Sequence, residues 1–518
     1  MLRAPVTATE YSAVDPTTGA TLPGTFRYAS RSEINSAMAK AVEAFDMVRS
    51  FPSTRRAELL DQIAQELTSL KPQIVERAAQ ETGLPADTRL GGELDRACTV
   101  LRIFSEAVRR GDVQDVRVTT ADQSRLPKPR ADLRRMRIGI GPVVVVEASN
   151  FPLAFGVMGG DAGSAIAAGC PVIAKAHPFH PGTSELVAQA VGVALRECSF
   201  PIGLFTLLHG GPDETVELIT HPFTRGVGFT GSRAAGMAIR EAASRRPRPL
   251  DELSLEMGSL NPVFFFPGAL AARGPELART AVESILVGGG QFCTKPGHLF
   301  VPTGPDGDKF VQSIAAEFQK ASSATLLSPQ LSARYERGCA AVECLDGVTS
   351  LSGGTRAGSS AAAAQPLLFE TTLNAFMQHD ALREEIFGPV SVIVRTPLSQ
   401  LVNAASMYEG ELTATIHSLD SEAEQVGPLA ALLGGKVGRL LFAGFPPGVE
   451  LCDGVNHGGP WPAALGRSTV VGTTSYERWL RPICFQDMPP ALLPPELKPD
   501  NPLGLSRRVN GVLEYPRG

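Results

Sequence analysis

The 518-residue chain has a formal net charge of −5, with 43% hydrophobic and 19% charged residues. That composition excludes a disordered chain, and the length allows roughly two to four domains with proper cores. Its 39 arginines and 9 lysines are scattered, and the densest basic cluster, Arg245, Arg246 and Arg248, is broken by Pro247; nucleic acid is not expected as a partner.

No window approaches the roughly 18 uninterrupted apolar residues of a membrane span, and the first residues lack a basic stretch followed by an apolar run. No membrane partner is expected, and a cytoplasmic location follows by default. The eight cysteines form no CxxC pair. They read as reduced thiols, with no metal site among them.

In chain order, Asp15-Pro16-Thr17-Thr18-Gly19 is a turn signature, and Ser32 opens a helix expected to run to about Phe45. A second amphipathic helix carries Leu60, Ile63, Leu67 and Leu70 on one face. From about Val113 to Gly141, polar and β-branched alternation around Pro127 and Pro129 predicts a projecting hairpin with little core of its own, a candidate oligomerisation arm.

Strand-like and helical segments then alternate. The strands are Val143 to Val146, Val172 to Ala174, Leu204 to Leu208 and Gly226 to Phe229; the helices fall at about Leu153 to Ala168, Thr183 to Arg196, Asp213 to Thr220 and beyond Ser232. This series predicts an α/β fold with a parallel sheet covered on both faces. Ligands of such sheets bind beyond the carboxyl ends of the strands, so Asn150, Lys175 and Thr230-Gly231-Ser232 belong to one rim. A second α/β stretch runs from about Asn261 into the 470s, followed by a Pro-rich tail.

Three residues stand out chemically. Cys293 follows Gly288-Gly289-Gly290-Gln291-Phe292, a glycine-rich turn that lets the backbone approach a ligand and expose the sulfur. Glu256 ends an apolar strand just before Gly258; buried, it is a candidate general base, although an N-cap or surface acid fits the same pattern. Asn150, just past the strand Val143 to Val146, either turns the chain or offers an N–H where negative charge develops on a carbonyl oxygen.

The segments SNFP (149–152), FTGSRAAG (229–236), LEMGSLNP (255–262), GQFC (290–293) and EEIFGPV (384–390) resemble the aldehyde dehydrogenase superfamily in order and spacing, over nearly the whole chain. The resemblance implies two doubly wound parallel-sheet domains, one for cofactor and one for catalysis, plus a β-hairpin oligomerisation element. On that pattern residues 1–118 and 142–258 bind NAD(P), 259–482 are catalytic, and 119–141 with 483–518 form the hairpin and C-terminal arm of a homodimer or homotetramer.

The same resemblance implies that Cys293 is the nucleophile, Glu256 the base, and the Asn150 amide with the Cys293 N–H the oxyanion hole. Ser149, Lys175, Gly231, Ser232, Glu385 and Phe387 are the implied cofactor contacts. An aldehyde would then be oxidised to its acid through a thioester on Cys293. Pro178 stands where NAD-preferring relatives commonly carry a glutamate, and Lys175, His177 and His180 offer donors, so the reading leans to NADP over NAD; Asp213 argues the other way if it faces the ribose.

Segments 438–453, 456–463 and 471–486 resemble the α-ketoglutarate semialdehyde (2,5-dioxopentanoate) dehydrogenase branch, with a long-chain aldehyde enzyme as the second reading. Acyl transfer to coenzyme A is disfavoured by Glu256, and a catalytically silent member of the fold is disfavoured by the complete set of thiol, acid and amide. Arg439, Arg467 and Arg481 are alternative cations for a substrate carboxylate, and His457 is read as a loop hydrogen-bonding residue.

Overall fold

The computed structural model describes residues 10–354 and 360–515. Residues 1–9 of the expected cofactor unit, 355–359 of the expected catalytic unit and 516–518 of the expected arm lie outside them. Helices come first: Arg31–Val48, Thr54–Ser69, Lys71–Thr82 and Gly91–Arg110. The first starts ahead of Ser32 because Ser30 caps it, accepting the Glu33 N–H at 3.3 Å while Glu33 accepts the Ser30 N–H at 2.8 Å. In the second, Leu60, Ile63 and Leu67 are buried, as their spacing predicts.

A six-stranded sheet follows, ordered Ala464–Leu465, Glu252–Glu256, Gly226–Thr230, Val143–Val146, Val172–Lys175, Phe205–Leu208. Every pair is parallel except the first. Val143–Val146 is buried throughout, as an inner strand covered on both faces requires. The helix expected from Leu153 spans only Gly160–Ala168. Ahead of it the chain turns too tightly to be helical: a Cβ at Gly156 would stand 2.2 Å from the Pro152 carbonyl oxygen.

The second sheet has seven strands, ordered Val348–Gly353, Leu367–Thr372, Val390–Thr396, His298–Pro302, Val263–Phe265, Glu411–His417, Val437–Leu441. It departs from the expected parallel arrangement at one edge, where Val348–Gly353 runs antiparallel to Leu367–Thr372. The sheets carry separate cores, one around Val143, Val145, Phe104 and Trp479, the other around Phe264, Phe300 and Phe369.

The hairpin strands Val116–Thr119 and Leu133–Gly139 have little core of their own and take the rest from the tail. They join Leu480–Gln486, Arg507–Val509 and Val512–Glu514 in a five-stranded sheet. Leu493, Leu497 and Leu505 of the tail cover Val116, Val118 and Met136. The missing half of that core sits some 350 residues downstream, out of reach of local periodicity. Just before the tail, Arg478 forms a buried salt bridge to Asp161 at 2.5 Å, and the Trp479 indole N–H donates to Ser164 Oγ at 2.9 Å. Among the described residues no helix is long and apolar enough to cross a membrane.

Candidate active site

Strand ends and tight turns build the site. Glu256 closes the strand Glu252–Glu256 and is buried beneath Gly458, where a Cβ would come within 3.2 Å of Glu256 Oε1. The Glu256 Oε2 atom is buried with no hydrogen-bond partner. Burial raises its pKa to about 8; Arg478 opposes the shift and Asp161 adds to it. A carboxylate left this way exchanges protons near neutral pH.

Cys293 follows a 3₁₀ turn, Val287–Gly290, in which Gly288, Gly289 and Gly290 all take positive φ (60°, 68° and 70°). Side chains are strained in that conformation. At Gly290 they are also excluded sterically, since a Cβ would stand 2.2 Å from the Gly388 carbonyl oxygen. The turn beyond is pinned on both sides. Asn150 Nδ2 donates to the Gln291 carbonyl at 2.8 Å, and Asn261 Nδ2 donates to the Cys293 carbonyl at 2.8 Å and the Lys295 carbonyl at 3.0 Å.

The thiol is partly exposed to the cavity. Burial, with the charges of Glu256 and Glu385, pushes its pKa up to about 12. At pH 7.5 only about 10⁻⁴ to 10⁻⁵ of such a thiol is ionised, so attack by sulfur requires a nearby proton acceptor. His457 Nε2 lies 3.8 Å from Cys293 Sγ and 4.0 Å from Glu256 Oε2. Burial holds the imidazole pKa down at about 4, with Arg439 and Arg96 adding to the effect, so the ring is neutral at physiological pH and would hold an accepted proton only briefly.

Ser149, Lys175, Gly231, Ser232, Glu385 and Phe387 all line one cavity of about 930 Å³, together with Asn150, Glu256, Cys293 and His457. Ser232 caps the helix Arg233–Ser244, its hydroxyl accepting the Ala235 N–H at 3.3 Å. That helix N-terminus opens on the cavity and suits a phosphate anion. Lys175 is buried, and burial lowers its pKa to about 8 against the pull of Glu147 and Glu214. The Glu385 carboxyl lies so close over Gly258 that a Cβ there would meet Oε2 at 2.0 Å, and burial raises its pKa to about 7 despite Lys295. The long cleft with an anion-binding helix end, a lysine and an acidic group fits a dinucleotide.

Sequence reasoning placed every one of these residues at one site except His457, whose position depends on a loop fold. Its signal was the following glycine pair: Gly458 lies over Glu256 and Gly459 packs onto the Glu411 carbonyl, both by close approach. Asn261 was also missed, although its positive φ of 46° is unusual for a non-glycine residue. His177 and Pro178 line the cavity, whereas Asp213 does not. His180 is committed elsewhere, with Nε2 3.0 Å from the Ala148 carbonyl oxygen and Nδ1 3.4 Å from Glu147.

The family model described as "Aldehyde dehydrogenase family" matches residues 4–429. The chain is 42% identical to alpha-ketoglutaric semialdehyde dehydrogenase 2 of Azospirillum brasilense over 507 residues, covering 97% of this chain and 96% of that protein. It is 42% identical to alpha-ketoglutaric semialdehyde dehydrogenase of Acinetobacter baylyi over 491 residues, covering 94% and 93%. A solved structure of aldehyde dehydrogenase C from Pseudomonas syringae, in complex with NAD⁺ and octanal, superposes with a TM-score of 0.77 at 20% identity over 95% of each chain. With a family match across most of its length and relatives covered almost end to end, this chain belongs to the aldehyde dehydrogenase family, oxidoreductases that act on aldehydes with a nicotinamide cofactor.

Proposed function

We propose that this enzyme oxidises α-ketoglutarate semialdehyde (2,5-dioxopentanoate) to the dicarboxylic acid, with Cys293 as nucleophile. The observation that carries the chemistry is His457 Nε2 standing between the Cys293 thiol and the Glu256 carboxyl, at 3.8 and 4.0 Å. The substrate rests on the two semialdehyde dehydrogenases to which the chain is 42% identical. A long-chain aldehyde has no comparable support.

As Cys293 attacks the aldehyde carbon, its thiol proton passes to the neutral imidazole of His457, and the carbonyl oxygen takes the negative charge. Asn150 and the Cys293 backbone N–H form the oxyanion hole; Asn150 is held at this turn by its bond to the Gln291 carbonyl. Held at Glu385 and Phe387, a nicotinamide would supply the acceptor for the hydride that the thiohemiacetal must lose to become a thioester. Glu256, once deprotonated, takes a proton from the water that hydrolyses that thioester, the acid is freed, and the expelled sulfur takes back the proton held on His457, restoring Cys293.

Lys175, Ser149, Gly231, Ser232, Glu385 and Phe387 hold the dinucleotide, and NADP is accepted at least as well as NAD. Pro178 brings no carboxylate to the cavity wall, Lys175 is available as a cation, and Asp213 does not line the cavity. Residues up to 118 and 142–258 form the cofactor unit and 259–482 the catalytic unit. The five-stranded sheet joins copies into a homodimer or homotetramer: its edge strand Val512–Glu514 carries Val512 and Leu513, and the adjacent Tyr515 is 73% exposed. The eight free cysteines suit the reducing cytoplasm.

A panel of aldehydes crossed with NAD and NADP tests the reading. 2,5-Dioxopentanoate is expected to give the highest kcat/KM; a higher value for a long-chain aldehyde rejects the substrate.

A further inference from the structure

Arg89, Glu93 and Arg96 lie at helical spacing along the start of the Gly91–Arg110 helix and the turn before it. Glu93 is buried, accepts the Leu153 and Ala154 N–H groups at 2.9 Å, and pairs with Arg89 at 2.8 Å. Arg89 is therefore matched in charge, and its guanidinium lies over the Phe151 ring at 4.3 Å and the Phe292 ring at 5.2 Å. Arg96 reaches away from this pair to the loop after Val437–Leu441, where it donates to the Val449 carbonyl.

Arg439 comes to the same loop from the strand Val437–Leu441 and donates to the carbonyl oxygens of Gly448, at 2.9 Å, and Pro446. Two guanidinium groups thus converge on consecutive carbonyls, Gly448 and Val449. Arg439 has no salt bridge among the described residues, and its Nε is buried without a partner. Arg439 is partly buried and, among the described residues, carries no counter-charge, so an anion that its remaining donors can hold would complete it.

The backbone ties the strand that carries Arg439 to the segments that frame the reacting thiol. Its neighbour Gly438 packs against Gly458 so closely that a Cβ would fall 1.7 Å from the Gly458 carbonyl oxygen, and Asn456 donates to the Gly438 carbonyl at 2.9 Å. On the other side Arg439 is in register with Thr413, whose hydroxyl donates at 2.9 Å to Asn261, the residue that holds the Cys293 carbonyl. The charge of Arg439 is felt at Cys293 and, with that of Arg96, at His457. The other two candidate cations point elsewhere: Arg481 is exposed in the five-stranded sheet opposite Ile138, and Arg467 acts on Glu252.

We propose that Arg439, with Arg96 at its side, receives the carboxylate at the far end of the aldehyde, so that the site selects acid-bearing aldehydes over neutral ones of the same length. This rests on the semialdehyde reading above and adds the residues that enforce it. Arg439 presents a planar fork matched to a carboxylate, with a geometry that lysine cannot copy.

The test compares kcat/KM for 5-oxopentanoate and pentanal in the wild type, Arg439→Met, Arg439→Lys and Arg96→Met. The wild type is expected to prefer the acid. Arg439→Met should lower the acid-to-neutral ratio by ~10²-fold, mainly through KM, with partial recovery in Arg439→Lys and a smaller fall in Arg96→Met. Glutarate should protect wild-type Cys293 from iodoacetamide and protect the Arg439→Met protein far less, a readout independent of turnover. An acid preference that survives in both methionine variants, or undiminished glutarate protection in them, overturns this assignment alone. A wild type that treats both aldehydes equally and gains no protection from glutarate overturns the semialdehyde reading and the assignment together.

Discussion

His457 Nε2 faces Cys293 Sγ at 3.8 Å and Glu256 Oε2 at 4.0 Å, so one nitrogen is shared by the proposed nucleophile and the proposed base for water. A thiol with a pKa of about 12 cannot wait as a thiolate, and an imidazole with a pKa of about 4 does not wait as a cation. The resting pair is neutral, and the proton moves only as the sulfur attacks.

Removing that acceptor should therefore be visible before any turnover. His457→Gln is expected to slow alkylation of Cys293 by iodoacetamide at pH 7.5 by roughly 10²-fold, within the range for a lost general base. The loss should shrink as pH rises toward the thiol's own pKa. Alkylation at the wild-type rate would assign the thiol proton to Glu256 instead.

Glu256 predicts a pH profile with a definite sign. Its pKa is raised to about 8, so the carboxyl is protonated and idle as a base below that value and active above it. Steady-state oxidation limited by thioester hydrolysis should rise with pH through about 8 and then level. Glu256→Gln should abolish that rise and slow hydrolysis by roughly 10²–10⁴-fold, leaving a single-turnover burst of reduced nicotinamide and an acyl adduct on Cys293 by mass spectrometry. A variant with neither burst nor adduct would move Glu256 to the first half of the reaction.

Pro178 lines the cavity with no charge. Pro178→Glu places a carboxylate there, which should repel a 2′-phosphate and lower the NADP-to-NAD ratio of kcat/KM by about 10-fold, equivalent to ~1.4 kcal/mol. An unchanged ratio means that this position does not read the ribose.

Much of the fold was legible because it is local. Val143–Val146, with four consecutive valines, can only be an inner strand, and the glycines before Cys293 announce a turn that side chains would block. Cys293 and Glu256 stand out in the sequence through local patterns, a glycine-rich turn and a strand end, although the second fits an N-cap or surface acid equally and the family resemblance supplies the roles. His457, Asn261 and the Arg439–Arg96 pair are different: each acquires meaning only when loops distant in sequence meet, as Asn261 does at the Cys293 carbonyl. The residues that complete the hairpin's core were not legible for the same reason, since Leu497 and Met136 approach only in the folded chain.

The strand Leu480–Gln486 begins on the residue after Trp479, which is itself locked to Ser164 beneath the six-stranded sheet, while Arg478 is locked to Asp161. No slack separates the two. The five-stranded sheet and the six-stranded sheet are therefore joined through one uninterrupted run of backbone anchored at both residues. Loosening either end is expected to be felt at the other, so the arm should melt together with the six-stranded sheet instead of peeling away ahead of it.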